Sequence, residues 1–260
     1  MDHKSKPLEI LRAIAETKTT ITIEDAVKTG NMCLVNLVEQ PATAALFTYA
    51  CTRGFTDIVR LLLDRGMDPA ADDNAAICSA IRNGHTEIVR LLLDLGVDPG
   101  VDCDDTFQTA CCHGFTDMVR LLLEIDWEEE GLDLNVPLAI ACSGGHEDIV
   151  RLLLQKGADP AFNSNRAFRS ACHEGHTHIV RLLLEYPLDL TINTSLFSQV
   201  CFYGHVDIVR LFLGLPHRIT FQLVFFHSCI IRDLSVSAET EIKSKYLEII
   251  RMLSESGINV

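Results

Sequence analysis

Cysteine and histidine have the widest chemical range in this chain, and both recur with a period. The 260 residues hold ten cysteines and ten histidines. Cys51, Cys111, Cys142, Cys172 and Cys201 each stand three residues before a glycine, with Ile81 once in that place. His85, His146, His176 and His205 each directly follow such a glycine, and Phe55 and Phe115 replace the histidine twice. Thiols and imidazoles are the materials of zinc sites, redox pairs and activated nucleophiles. Their spacing here argues for none of these. Equivalent positions on neighbouring packed helices lie about 8–10 Å apart, whereas a disulfide needs Cα atoms within about 7 Å. The densest set, Cys111, Cys112, His113, Cys142 and His146, contains no Cys-x-x-Cys pair or other matched ligand spacing. A buried thiol at a helix contact behaves as a small hydrophobe, and this many free cysteines suit a reducing compartment. A position that accepts phenylalanine for histidine carries no shared proton transfer. Gly-rich phosphate loops, nucleophile elbows and His-Glu-x-x-His motifs are all missing from the sequence. The reading is therefore no catalytic residue, no cofactor and no metal.

The elements that must position these residues are read from one helical phrase. It runs Gly54-Phe-Thr-Asp-Ile-Val-Arg-Leu-Leu-Leu63 and recurs from Gly84, Gly114, Gly145, Gly175 and Gly204, at spacings of 30, 30, 31, 30 and 29 residues. Tyr246 to Leu253 is a worn seventh copy. A fixed step of this size signals a solenoid of units that are each too small to fold alone. Ile58, Val59, Leu61, Leu62 and Leu63 make a broad apolar face, with Asp57, Arg60 and Asp64 opposite it. Thr56 and Thr86 are expected as N-caps, and Gly66, Gly96, Gly157 and Gly257 as left-handed stops. A shorter first helix precedes each phrase, Ala44 to Thr52 and Asn74 to Arg82 in the first two copies. It buries Phe47, Ile77, Phe107, Leu138, Phe168 or Phe197, followed by a small pair such as Ala50-Cys51 or Ala141-Cys142.

The phrase resembles the ankyrin repeat. Gly84-His85, Gly145-His146, Gly175-His176 and Gly204-His205 match its Gly-His turn, and the Ile-Val-x-Leu-Leu helix follows. The likeness spans about residues 22 to 260. Two features depart from the family pattern: Thr-Pro-Leu-His is missing, with a trace at Pro137-Leu138, and the stretch from Gly66 to Ile77 is short by about three residues. The resemblance thus implies an all-α solenoid in which the β-hairpin finger shrinks to a tight loop starting at Asp68-Pro69 or Asp98-Pro99, with little or no strand. It also implies that the turn histidine ties the turn to neighbouring backbone.

One array of about eight helix pairs is expected over residues 1–260. Residues 1–41 form a degenerate capping unit, with a helix from the Thr22/Asp25 capping box to Thr29, a second over 31–40 and a covering helix at Leu8 to Glu16. Residues 42–213 are six regular repeats. Residues 214–260 are an atypical repeat with helices at 218–232 and 246–256 around an insertion near Ser235 to Lys245. The apolar run Ile219 to Ile231 is too short to span a bilayer, and no apolar signal region opens the chain. A soluble cytoplasmic monomer is the expectation, with the nucleus also open to it.

Arg60, Arg90, Arg120, Arg151, Arg181, Arg210 and Arg251 form a ladder, and six of the seven follow an acidic residue by three positions. Exposed pairs of this kind contribute only about 0.2–0.5 kcal/mol each. With acids on the same face and a net charge of −14, nucleic acid is excluded as partner, because phosphate binding needs unpaired basic charge.

Recognition of another protein remains. Carried over from the family, the partner-facing residues on the concave side are the inter-repeat loops and the pair before each turn glycine: Thr52-Arg53, Arg82-Asn83, Cys112-His113, Ser143-Gly144, His173-Glu174 and Phe202-Tyr203. These vary within a constant frame. Phe202 and Tyr203 are the candidate anchors, because aromatics dominate interface hot spots. Loops on the same side carry Asp72, Asp73, Asp102, Asp104, Asp105 and the Trp127 segment with Glu128 to Glu130. These acids fit a partner with a basic surface, or serve solubility alone. Two rival functions are an adaptor that recruits a target to a larger machine such as a ubiquitin ligase through residues 214–245, and a thiol or metal sensor built on the cysteine ladder.

Overall fold

The computed structural model describes residues 27, 28, 30, 43–99, 103–125, 132–190, 196–215 and 240–256. Among the described residues there are helices and no strand. In chain order the helices are α1 (Ala44–Thr52), α2 (Thr56–Asp64), α3 (Ala75–Arg82), α4 (Thr86–Asp94), α5 (Cys103–His113), α6 (Thr116–Leu122) and α7 (Asn135–Gly144). They continue as α8 (Glu147–Gln155), α9 (Phe162–Glu174), α10 (Thr177–Leu183), α11 (Leu196–Phe202), α12 (Val206–Leu213) and α13 (Thr240–Glu255). The all-α solenoid expected from the repeats is what these elements build. Helices of two or three turns are marginal by themselves, so burial against neighbours must hold them.

The contacts divide the chain into two units. In the first, Met1–Ala110 with Asp117–Asp126, α1 packs on α3 and α2, and α3 and α2 pack on α4. Its core is Phe47, Ala50, Cys51, Ile77, Ala80 and Ile81 from first helices, and Val59, Leu62, Ile88 and Leu92 from second helices. In the second, Cys111–Thr116 with Trp127–Val260, α7 packs on α9 and α9 on α11, while α8, α10, α12 and α13 form the other row. Leu138, Phe168, Phe197, Ile149, Ile179, Ile208 and Ile249 fill it. Phe212 stacks between the rings of Phe168, at 5.9 Å, and Phe197, at 6.1 Å. Fully burying each such side chain stabilises by about 1.5–3 kcal/mol.

Both helices of a repeat end alike. At Gly66 the chain turns left-handed, Met67 N donates to Leu62 O at 3.1 Å and Gly66 N to Leu63 O at 2.9 Å. The same pair of bonds recurs at Gly96 and Gly157, where the following Val97 and Ala158 are buried. First helices stop the same way: Phe55 N donates to Ala50 O, His85 N to Ala80 O, His146 N to Ala141 O and His176 N to Ala171 O. The residue after the turn glycine therefore closes one helix and opens the next. This corrects the N-cap expectation. Thr56 and Thr86 are the first helical residues, and the N-caps are Phe55 and His85 without a side-chain cap bond. Only one residue separates glycine from helix, and its ring is committed to the neighbouring repeat.

Where a hairpin finger would stand, the connection is a tight turn. Asp68 Oδ1 accepts from Ala70 N at 3.0 Å, and Asp159 Oδ1 does the same for Ala161 N at 2.9 Å. Three consecutive left-handed residues follow, Asp72, Asp73 and Asn74 in one copy and Asn163, Ser164 and Asn165 in another, where they interrupt the first turn of α9. Asn and Asp tolerate that conformation better than other side chains. It places Asn74 outside the helix that was expected to begin with it. Asp104 and Asp105 were expected in a loop but fall in the first turn of α5. The last helix was expected to start at 246 after an insertion ending at Lys245. It starts at Thr240, because Lys245 stands where the other copies have their turn glycine and nothing there breaks the helix. Of the ion pairs expected three residues apart, Asp207–Arg210 forms at 2.8 Å, while Arg151 takes Glu147 instead. The expected helices at 8–16, 31–40 and 218–232, the capping box at Thr22 and the stop at Gly257 lie outside the described residues.

Gly145 and Gly157 separate two costs of replacing a left-handed glycine. Both have positive φ, 76° and 97°, but a Cβ at Gly145 would lie 2.6 Å from His176 Cε1, whereas nothing lies within 4 Å at Gly157. Gly157→Ala is expected to cost about 1–2 kcal/mol from conformation alone, and Gly145→Ala about 1 kcal/mol or more beyond that. Urea midpoints measure both. Measured against His176→Ala as the parent, Gly145→Ala should lose that excess and cost about the 1–2 kcal/mol of conformation alone.

Candidate functional site

Within each unit a ring bridges neighbouring repeats. His85 Nε2 lies 2.9 Å from Thr52 O, His146 Nε2 2.9 Å from Cys112 O, His176 Nε2 2.9 Å from Ser143 O and His205 Nε2 2.8 Å from His173 O. A carbonyl only accepts, so each Nε2 carries the hydrogen and donates. The acceptors are carbonyls at the end of a first helix, which lack a partner within that helix. The ring lies over the turn glycine of the earlier repeat: at Gly54, Gly114, Gly145 and Gly175 a Cβ would come within 2.6 Å of it. The structural role that the family resemblance implied for this histidine is thus present four times.

The same kind of carbonyl is met once by other means. Tyr246, five residues before Arg251 as His85 is before Arg90, donates its hydroxyl to Phe202 O at 2.6 Å. That spacing was the available signal, and a histidine-based reading passed over it. Phe55 fills the corresponding place by packing alone, its ring within 3 Å of a Cβ placed at Gly30.

Each bridged carbonyl belongs to the first residue of the pair before a turn glycine, so the ladder grips the backbone and leaves the side chains outside. Arg53, Arg82, Asn83, Cys112, His113, Ser143, His173, Glu174, Phe202 and Tyr203 are exposed, and Thr52 is half-buried. Some are already occupied. Thr52 Oγ1 donates to Thr48 O at 2.7 Å, Asn83 Nδ2 donates to Ser79 O at 2.8 Å, Arg53 lies 5.9 Å over the Phe55 ring and His113 stacks on Phe115 at 5.4 Å.

Four residues from α9 and α11 with its following turn form a cluster in the second unit. His173 Nδ1 is 2.9 Å from Glu174 Oε1, and its Nε2 is 3.0 Å from Tyr203 Oη. The His173 and Tyr203 rings meet edge to face at 4.5 Å, and Phe202 meets Tyr203 at 5.3 Å and 79°. Phe202 is 36 % exposed and Tyr203 47 %. The sequence named all four residues but carried no sign that they touch. Asp72, Asp73 and Asp105 are exposed elsewhere. Trp127 and its glutamates lie outside the described residues, as does the side chain of Asp104.

The cysteine ladder is buried. Desolvation pushes the thiols of Cys51, Cys111, Cys142 and Cys201 up from an ordinary 9.0 to about 12, with the neighbouring Cys112 adding at Cys111, and Cys172 is pushed further still. The thiolate is the reactive and metal-binding form, and these sites disfavour it. Among the described residues no three His, Cys, Asp or Glu gather as a metal site. A thiol whose pKa is raised by folding contributes full stability below the unfolded value near 9, and that stability is lost as pH climbs towards 12. Each such thiol steepens the alkaline decline by up to about 1.4 kcal/mol per pH unit. Urea unfolding from pH 8 to 10.5 should show a shallower decline for Cys142→Ala than for the unaltered chain. Identical slopes would mean that Cys142 ionises freely in the fold.

The family model for ankyrin repeats, which comprises three copies, matches residues 23–103 and 100–164, more than half of the chain. No curated protein matches it. Ankyrin repeats are generally protein–protein interaction modules and typically non-catalytic. Beyond residue 164 the same ring-to-carbonyl bond continues at His176, His205 and Tyr246. By matched sequence and by repeated geometry, the chain belongs to the ankyrin repeat family.

Proposed function

We propose that this chain is a non-catalytic interaction module that grips another protein with the residue pairs at the ends of its first helices and with the loops beside them. The observation that carries this reading is the division of labour at five of the six pairs: a ring bond holds the backbone at Thr52, Cys112, Ser143, His173 and Phe202, while exposed side chains differ from copy to copy. A side chain freed from packing, on a backbone held from both sides, is pre-ordered for binding and loses little freedom on contact. Phe202 and Tyr203 expose two touching aromatic rings in this row, and aromatic residues are enriched among binding hot spots.

The partner class follows from charge. A net charge of −14 and the exposed Asp72, Asp73 and Asp105 favour a partner with a basic surface and speed its approach. Asp104 and Trp127 belong to the same proposed surface. No described helix is long and apolar enough to cross a membrane. Free, buried thiols are in keeping with a reducing compartment, cytoplasmic or nuclear. A thiol-sensor reading is disfavoured by the raised thiol pKa values. The adaptor reading rests on residues 214–245, most of which lie outside the described residues, and no observation raises it above simple binding.

Phe202→Ala with Tyr203→Ala should reduce partner recovery from cells of the source organism at least tenfold, since central anchors cost about 2 kcal/mol or more. The melting temperature should move little, because neither ring is in the core. Quantitative cross-linking mass spectrometry measures recovery and position together. Undiminished recovery, or cross-links confined to the outer faces of the second helices, would refute the proposed surface.

A further inference from the structure

We propose that the cluster formed by Glu174, His173, Tyr203 and Phe202 receives an arginine side chain of the partner. This rests on the interaction surface proposed above and names the group that surface selects.

The hydrogen-bond directions can be followed atom by atom. A carboxylate only accepts, so the 2.9 Å contact places the hydrogen on His173 Nδ1. In the neutral ring Nε2 then accepts, and Tyr203 Oη donates to it across 3.0 Å. Both donors of the relay are consumed inside it. What it shows to solvent are acceptors: the second oxygen of Glu174 and the free lone pairs of Tyr203 Oη. The main-chain carbonyls beneath are already engaged, His173 O by His205 and Phe202 O by Tyr246. They hold the platform without adding to its outer face.

Beside these acceptors stand two part-exposed aromatic rings, those of Phe202 and Tyr203. Tyr203 meets His173 at 64° and Phe202 at 79°, and the His205 ring stacks along it at 6.0 Å, so its ring direction is set before a ligand arrives. Ring faces attract cations. A ligand that satisfies a carboxylate, a phenolic acceptor and a ring face together must be planar, cationic and rich in donors, which describes guanidinium. Ammonium meets the charge but is a compact, strongly hydrated point without a stacking plane. No other described pair brings a carboxylate, an acceptor hydroxyl and two rings together.

The test uses the full chain and a phage-displayed library of random twelve-residue peptides. Peptides enriched on the unaltered chain, relative to the Tyr203→Ala chain, should share an arginine. A synthetic copy of the best peptide, measured by fluorescence anisotropy, should lose about tenfold or more when citrulline replaces that arginine and less, but measurably, when lysine does. Glu174→Gln and Tyr203→Ala should each weaken it by a similar factor, and Tyr203→Phe by less because the ring face remains. Peptides that depend on Tyr203 but share no arginine would overturn the arginine inference and leave the proposed surface standing. An arginine peptide that binds the Glu174→Gln chain undiminished, or loses no affinity when citrulline replaces its arginine, would overturn it. If every peptide that binds the unaltered chain binds the Tyr203→Ala chain equally, so that none is enriched, both proposals are overturned.

Discussion

A single contact sets the terms for everything else: a ring from one repeat lies on the turn glycine of the previous repeat and donates to the carbonyl just before it. The contact needs a left-handed glycine, because any side chain there would occupy the ring's place. It needs the first helix to end at that carbonyl, so that the acceptor has no partner in its own helix. It also needs a period near thirty residues, so that ring and carbonyl arrive opposite each other. Once these are met, the backbone under each bridged pair is held from its own repeat and from the next. Its side chains are then free to vary without cost to the fold.

This explains which parts of the architecture were legible in the sequence. The bounds of α1 and the buried face of every second helix follow from local pattern, and Phe47, Ile77, Phe107, Leu138, Phe168 and Phe197 are all in the core. The misplacements arise where local rules compete with a neighbour. Thr56 has the composition of an N-cap, yet the chain reversal at Gly54 leaves it inside the helix. The start of α13 depends on what is missing at Lys245, a glycine, rather than on any signal of its own. The left-handed run Asp72 to Asn74 uses residues that merely tolerate such a backbone, so no glycine advertises it.

The candidate surface was legible as positions and illegible as contacts. Family geometry nominated His173, Glu174, Phe202 and Tyr203 separately. Their assembly depends on α9 and α11 lying side by side, a relation between residues thirty apart that no local window contains. Tyr246 is similar: as sequence it is a worn copy, and as structure it supplies the missing bond with a hydroxyl in place of an imidazole. The thiols teach the converse. Their periodicity invites chemistry, but burial raises the cost of the charged form, and the ladder is packing.

The most direct measurement is the nitrogen-15 spectrum of the histidine rings in the full chain. The bridging contact predicts that His85, His146, His176 and His205 are held as the Nε2–H tautomer, with ring N–H protons that exchange slowly with water, while exposed His178 shows averaged, fast-exchanging signals. Four averaged, rapidly exchanging rings at the turn positions would contradict the account, since nothing would then tie one repeat's turn to the next.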